Sequence, residues 1–319
     1  MRKNAIAGLL VLSAAVLLPY GGNAVEFGRW QPVENRADCL FWNPLPHLDL
    51  TATWDGACPS GKAEGTGKLV WRFRVEGQWK KHSYTGEVKA GKRHGEGIQI
   101  KENGDRYEGE FKNGMMHGRG INSGPDGTQY EGEYENGAMQ GRGTFLGSDG
   151  TRYDGDWKDD QPHGRGVVAL ANGDGYEGEF KEGKAHGRLR MERADGARFE
   201  GVFMDGAFIG PVVAIFADGG RYEGEIKGNL LHGRGALTWP DGARYEGYFK
   251  ENRAHAFGIM TWPDGARYVG AFKEGKAHGP GHFVTREGQS HDGTWTNGCY
   301  LKHIRYVAVG TDKASCDIN

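Results

Sequence analysis

Seven histidines, His94, His117, His163, His186, His232, His255 and His278, stand near carboxylate pairs such as Glu108 and Glu110, Glu131 and Glu133, Glu177 and Glu179, and Glu223 and Glu225. Imidazoles with carboxylates can hold a metal, and paired carboxylates can cleave a glycosidic bond. Their spacing argues against both. Each group recurs at the same place in a repeating phrase, so the histidines occupy equivalent positions in successive β-hairpins. Equivalent positions in adjacent hairpins lie two strands, or about 9.6 Å, apart, whereas ligands of one ion sit about 2.1 Å from it. The carboxylates alternate along strands of an open surface, where no cleft gives two of them unlike environments. Gly164-Arg-Gly166-Val-Val-Ala169 fits a loose dinucleotide-binding pattern, but a turn follows it instead of a helix. There is no Gly-x-Ser-x-Gly, no His-Glu-x-x-His and no phosphate-binding Gly-Lys-Ser/Thr loop. The expectation is a chain without catalytic residues, cofactor or metal. The histidines beside glutamates keep one softer role, as a surface that titrates between about pH 5 and 8.

The elements that position these groups are legible from one period. Tyr84, Tyr107, Tyr130, Tyr153, Tyr176, Phe199, Tyr222, Tyr245 and Tyr268 recur every 23 residues, and His291 begins a tenth, interrupted unit. A fixed period of this size marks a stacked array whose units cannot bury their apolar faces alone. The clearest copy runs Tyr107-Glu-Gly109-Glu-Phe111-Lys-Asn-Gly114-Met-Met-His117-Gly118-Arg-Gly120. Tyr107, Gly109 and Phe111 alternate with charge, which is a strand signal. Asn113-Gly114 is a hairpin signal, and Pro125-Asp126-Gly127 turns the chain into the next unit.

An even-numbered loop centred on Asn113-Gly114 places Tyr107 opposite Gly120, Gly109 opposite Gly118 and Phe111 opposite Met116. On the other face it places Glu108 opposite Arg119 and Glu110 opposite His117. A strand glycine normally weakens a sheet, but here it leaves room for an aromatic ring to lie across the strand. The expected fold is all-β: an elongated, single-layer antiparallel meander of 23-residue hairpins with short terminal caps. Eighteen strands would extend about 85 Å. Residues 84–298 form the array and 299–319 a C-terminal cap with a closing strand at 301–309. Residues 25–83 form a divergent N-terminal cap, in which Gly61-Lys-Ala-Glu64-Gly65-Thr-Gly67 is a stretched copy lying 30 residues before its counterpart at Gly91.

The phrase, with Trp239-Pro-Asp-Gly242 and Trp262-Pro-Asp-Gly265 between units, closely resembles the MORN repeat over about two-thirds of the chain. The resemblance implies ribbons of β-hairpins and roles in scaffolding, self-association and attachment near membranes, with direct lipid binding a weaker implication. Catalytic domains in such proteins lie outside the array, and about 59 residues before it and about 20 after it leave no room for one here.

The ends and the composition set the remaining expectations. Met1-Arg2-Lys3-Asn4 followed by apolar Ala5 to Leu18 and Gly22-Asn23-Ala24 reads as a secretory signal peptide over residues 1–24, cut after Ala24. The mature chain is then expected in the periplasm, outside the cell or at its surface. In an oxidising compartment four cysteines point to disulfides. Of three possible pairings, one at each end is expected, Cys39 with Cys58 and Cys299 with Cys316, because the array separates the ends. The formal charge of −2 gives no reason to expect nucleic acid.

Departures from the phrase mark individual repeats. Gln140 replaces the histidine of the third, and His255-Ala-Phe257-Gly258 in the eighth loses a glycine. In the sixth, Phe208-Ile-Gly210-Pro-Val-Val-Ala-Ile-Phe216 replaces the charged second strand. The same pairing sets Val202 opposite Ile209, so Val202, Met204, Ile209, Val213 and Ile215 form an apolar patch on a charged face. Such a patch suggests contact with a protein partner or a second copy of the chain; a degenerate repeat covered by the N-terminal segment is the plainer reading. A lipid or polysaccharide surface bound through Trp239, Trp262 and neighbouring tyrosines is the alternative.

Overall fold

The computed structural model describes residues 28–43, 50–228, 230–302 and 305–310. The expected signal peptide and Cys316 lie outside these. Among the described residues every regular element is a β-strand; strands of the repeats pair antiparallel as short hairpins, and Arg29–Val33/Arg36–Asn43 and Cys299–Lys302/Arg305–Ala308 form separate two-stranded sheets. The chain falls into two compact units. One contains the described residues up to Asn172 with Glu179–Gly183, and the other Gly173–Gly178 with Lys184 onward.

One repeat explains the rest. Strands Arg106–Lys112 and Met115–Ser123 are joined by Asn113 and Gly114, both at positive φ, 54° and 91°. This is the primed two-residue turn whose twist matches that of the strands. Next to the turn the register is the expected one, with Phe111 opposite Met116. Further along it is not: Tyr107 faces Asn122, Glu108 faces Ile121, and Gly109 faces Gly120. A bulge makes the difference, because His117, Gly118 and Arg119 together oppose the single Glu110. Gly118 sits at φ 59°, a conformation that suits glycine.

The rings nevertheless lie over glycine. A Cβ built on Gly120 would come within 2.5 Å of ring carbons of Tyr107, and Gly143, Gly166, Gly235, Gly258 and Gly281 meet their tyrosines in the same way. The bulge shifts the pairing, and the ring reaches Gly120 diagonally. The glycines themselves oppose one another across strands: Gly86, Gly97, Gly109, Gly120, Gly132, Gly143, Gly155 and Gly166 form one row. Above this row the rings pack edge to face, Tyr84–Phe111, Phe111–Tyr107, Tyr107–Tyr134 and Tyr134–Tyr130, with centroids 5.0–5.2 Å apart. Such pairs contribute about 0.5–1.5 kcal/mol beyond their buried area. In the other unit the same column runs from Tyr222 through Phe249, Tyr245, Phe272 and Tyr268 to Trp295.

Both ends borrow the device. Trp54 covers Gly67 and donates its indole N–H to the carbonyl of Ala57 at 2.9 Å, standing in for a repeat tyrosine 30 residues before Tyr84. At the other end Tyr300 covers Gly293 and stacks on Trp295 at 5.1 Å. The tail is a separate hairpin, Cys299–Lys302 with Arg305–Ala308, and not the closing strand of the array. Cys39 and Cys58 form a disulfide that ties hairpin Arg29–Val33/Arg36–Asn43 to the loop after Trp54. Cys299 is also disulfide-bonded.

Candidate interaction surface

The repeat phrase decodes into a self-capped bulge. Interrupting the ladder frees main-chain groups that must find partners. The Tyr107 hydroxyl donates to the carbonyl of Glu110 at 3.0 Å, and Tyr84, Tyr130, Tyr153, Tyr222, Tyr245 and Tyr268 make the same bond three residues along. The Glu110 carboxylate accepts from the amide of Arg119 at 3.0 Å, as Asp156 does from Arg165 at 2.9 Å. Glu133 does the same for Arg142 at 3.4 Å and Glu225 for Arg234 at 3.3 Å, so in these repeats the second acid of the pair is a main-chain cap. Glu108 pairs with Arg106 of its own strand at 2.6 Å, and Arg119 faces Glu133 of the next repeat instead of Glu108. An imidazole faces the acid where Asp156 opposes His163. Burial raises the tyrosine pKa values, to about 12 for Tyr84 and Tyr268, so the phenols stay protonated donors.

The carboxylates of successive repeats border an open groove of about 630 Å³ lined by Glu108, Arg119, Glu131, Glu133, Arg142 and Asp154 over the glycine backbone. Among the described residues no group of three or more His, Cys, Asp or Glu is placed to hold a metal ion, and no helix is long and apolar enough to cross a membrane.

The sixth repeat departs from the phrase as a set. Val202 replaces the capping acid, and Pro211 stands where the capped amide would be. Proline has no N–H, so losing the acid leaves no donor unpaired. The ninth repeat makes the same double change, Ala271 with Pro280. Val212 takes the place of the glycine beneath the ring, and the tyrosine becomes Phe199. The repeat keeps its bulge, with Gly210 at φ 75° and Val202 opposite Ile209. Beyond Arg198 and Glu200 its outward side chains are apolar and open to solvent: Val202 39%, Met204 47%, Ile209 40% and Ile215 42% exposed. Val213 is half-buried beside them. The described N-terminal residues bond to 50–63 and the Gly91 turn, through Glu34 to Ala52, Leu40 to Gly61 and Trp42 to Gly91.

Other exposed apolar groups were not legible from spacing. Trp79 is 56% exposed at the tip of the long hairpin Gly65–Val75/Gln78–Lys89, with the Arg74 guanidinium 5.9 Å from its ring. Trp239 and Trp262 are half-buried, and Trp262 packs on Phe283 at 5.8 Å. Leu189, which fills a glycine position of the fifth repeat, was a visible signal beside Val212 and is buried.

Comparison with known proteins fits this anatomy. The MORN repeat model matches eight times, at residues 84–106, 107–129, 130–152, 153–175, 176–198, 222–244, 245–267 and 268–290, passing over 199–221. A search of curated proteins finds no match. Among solved structures, one similar chain is the wild-type TCP10 domain of Danio rerio CPAP in complex with a peptide of Danio rerio STIL. It is 13% identical, with 77% of this chain and 100% of that chain covered and a TM-score of 0.26. Another is a streptogramin B lyase, 15% identical over 77% of this chain and 73% of that one, with a TM-score of 0.14. Those scores carry no argument about this chain. The eightfold match, on the tyrosine, glycine and bulge positions seen above, does: the chain belongs to the MORN-repeat family.

Proposed function

We propose that this chain is a non-catalytic interaction protein whose sixth repeat binds a protein partner. One observation carries the reading: the repeat alters its capping acid, its capped amide and its ring-bearing position together, and the result is a solvent-exposed apolar face among charged ones. Contiguous exposed apolar side chains of this kind mark interaction sites. A photo-crosslinking residue at Met204, with one at Lys112 as control, tests it in the native setting. A discrete adduct from position 204 alone is expected. Absence of any adduct, or equal labelling from both positions, removes the proposal.

We also propose, from the basic and apolar N-terminal sequence, that the mature chain lies outside the cytoplasm after cleavage near Ala24. Mass spectrometry of the N-terminal peptide from envelope or secreted fractions checks this, and an intact Met1 start would overturn it.

Attachment to a lipid or glycan surface is the second reading, and Trp79 favours it. Arg74 stands opposite that exposed indole, and Arg72 opposite Lys81 lies further along the same hairpin, a pairing that suits an anionic interface. Co-sedimentation with phosphatidylserine vesicles should then fall on Trp79→Ala. No binding at low salt would dismiss it.

A further inference from the structure

The flanks of the sixth repeat say what kind of partner its face accepts. Strand Arg198–Met204 lies between Lys184–Glu192 and Ala207–Ile215, which in turn adjoins Arg221–Lys227. Reading outward positions across these strands, Arg188 and Glu225 occupy one level on opposite sides of the apolar hairpin: Arg188 faces Val202, and Glu225 faces Pro211. One level along, Arg190 faces Glu200 while Glu223 faces Val213. A further level along, Glu192 faces Arg198 and Arg221 faces Ile215. The signs across the hairpin are opposite at all three levels.

We propose that the partner of this face is a second copy of the chain, packed sheet on sheet about a twofold axis parallel to the strands of the 198–215 hairpin. This deepens the reading above and rests on it. A twofold in that direction keeps each level and exchanges the two flanks. It therefore sets Arg188 of one copy against Glu225 of the other, Arg190 against Glu223, and Glu192 against Arg221, each pair twice. Val202 meets the Ile209–Pro211 segment at the centre. The charged strands lie about one and a half strand spacings, or about 7 Å, from the axis, and packed sheets lie about 10 Å apart. Arginine and glutamate side chains span that gap. Isologous contact demands this self-complementarity, and the 106–123 hairpin lacks it. The same operation on the 106–123 hairpin would set Glu96 against Glu133, because Glu96 faces Glu110 and Glu133 faces Arg119. Only apolar side chains line the outward face of Ala207–Ile215, and the two charges of the neighbouring strand each stand opposite a residue of opposite sign, Arg198 opposite Glu192, its ion-pair partner at 3.2 Å, and Glu200 opposite Arg190, so neither enters the contact without a counter-charge beside it.

The full-length mature chain, measured by sedimentation equilibrium, tests this. The expected mass is that of two chains. Arg188→Glu with Arg190→Glu, or Glu223→Arg with Glu225→Arg, should weaken the dimer about tenfold or more, because like charges then meet on both flanks. An equimolar mixture of the two variants should recover the dimer as a heterodimer. Salt titration of the unaltered chain needs no variant, and its dissociation constant should rise with ionic strength. A monomer at every concentration, a dimer indifferent to charge reversal and salt, or a mixture that stays monomeric would overturn the inference. A monomer whose Met204 position still crosslinks to a different protein would overturn only the twofold and leave the interaction reading standing. No adduct at all would remove both.

Discussion

Tyr134 carries a buried hydroxyl with no hydrogen-bond partner, on the ring face where equivalent repeats place Phe111, Phe180, Phe249 and Phe272. Trp157, at the same position, escapes the problem by donating its indole N–H to Gly143 at 3.0 Å. An unpaired buried hydroxyl costs about 1–3 kcal/mol. Tyr134→Phe keeps the ring contacts with Tyr107 and Tyr130 and removes that cost, so it should stabilise by about 1 kcal/mol. Slower hydrogen exchange of amides in Gln129–Glu135 would register the gain, and unchanged or faster exchange would contradict it. The ring-over-glycine contact was legible at this scale from Gly120, whereas Gly109 is glycine because the main chain of Arg119 and Gly120 comes within about 2.5 Å of where its Cβ would stand. The register was not. A bulge leaves no mark in alternation, and Glu110 looks like an ion-pair residue until its carboxylate is seen on the Arg119 amide. The paired losses, Val202 with Pro211 and Ala271 with Pro280, were a readable clue to that bond.

At the scale of the element, the hairpin Gly65–Val75/Gln78–Lys89 has strands of 11 and 12 residues where the first strand of an ordinary repeat has 7. The seven-residue stretch of the copy, visible as a 30-residue interval, became extra strand and carried Trp79 outward instead of forming a loop. Its added length brings His82 against Phe73 at 4.7 Å and Trp71 at 5.6 Å. Burial, aided by Lys101 and Arg93, pushes the His82 pKa down to about 4. The folded hairpin thus binds fewer protons than the unfolded chain between about pH 6.5, the unperturbed value, and 4. Its stability is complete above that window and falls as the pH drops through it. The hairpin should loosen on acidification, and His82→Phe should flatten the response. Proton NMR of the His82 ring checks the midpoint, and a titration near 6.5 would contradict the account.

Across the whole molecule, each hairpin bonds chiefly to its sequence neighbours. Gly114 donates to Arg93, Gly137 to Met116 and Gly298 to Ala277, so each of these turns is tied to the preceding hairpin. Stability in such an array is a sum of local and nearest-neighbour terms, and one disturbance need not spread. The disulfide Cys39–Cys58 closes a separation of 19 residues at the N-terminal end. A loop of that size contributes about 3 kcal/mol in the chain-entropy model. Cys39→Ser with Cys58→Ser leaves the Cys299 bond untouched, which a chemical reductant would not. In this variant, exchange should quicken in the Arg29–Val33 and Arg36–Asn43 hairpin, in Leu50–Trp54, and at the Gly91 turn that receives the Trp42 amide. Protection in Arg244–Lys250 and Arg267–Lys273 should not change. If those strands of the other unit lost protection by the same amount, the array would be unfolding as one cooperative body, and the nearest-neighbour description would fail.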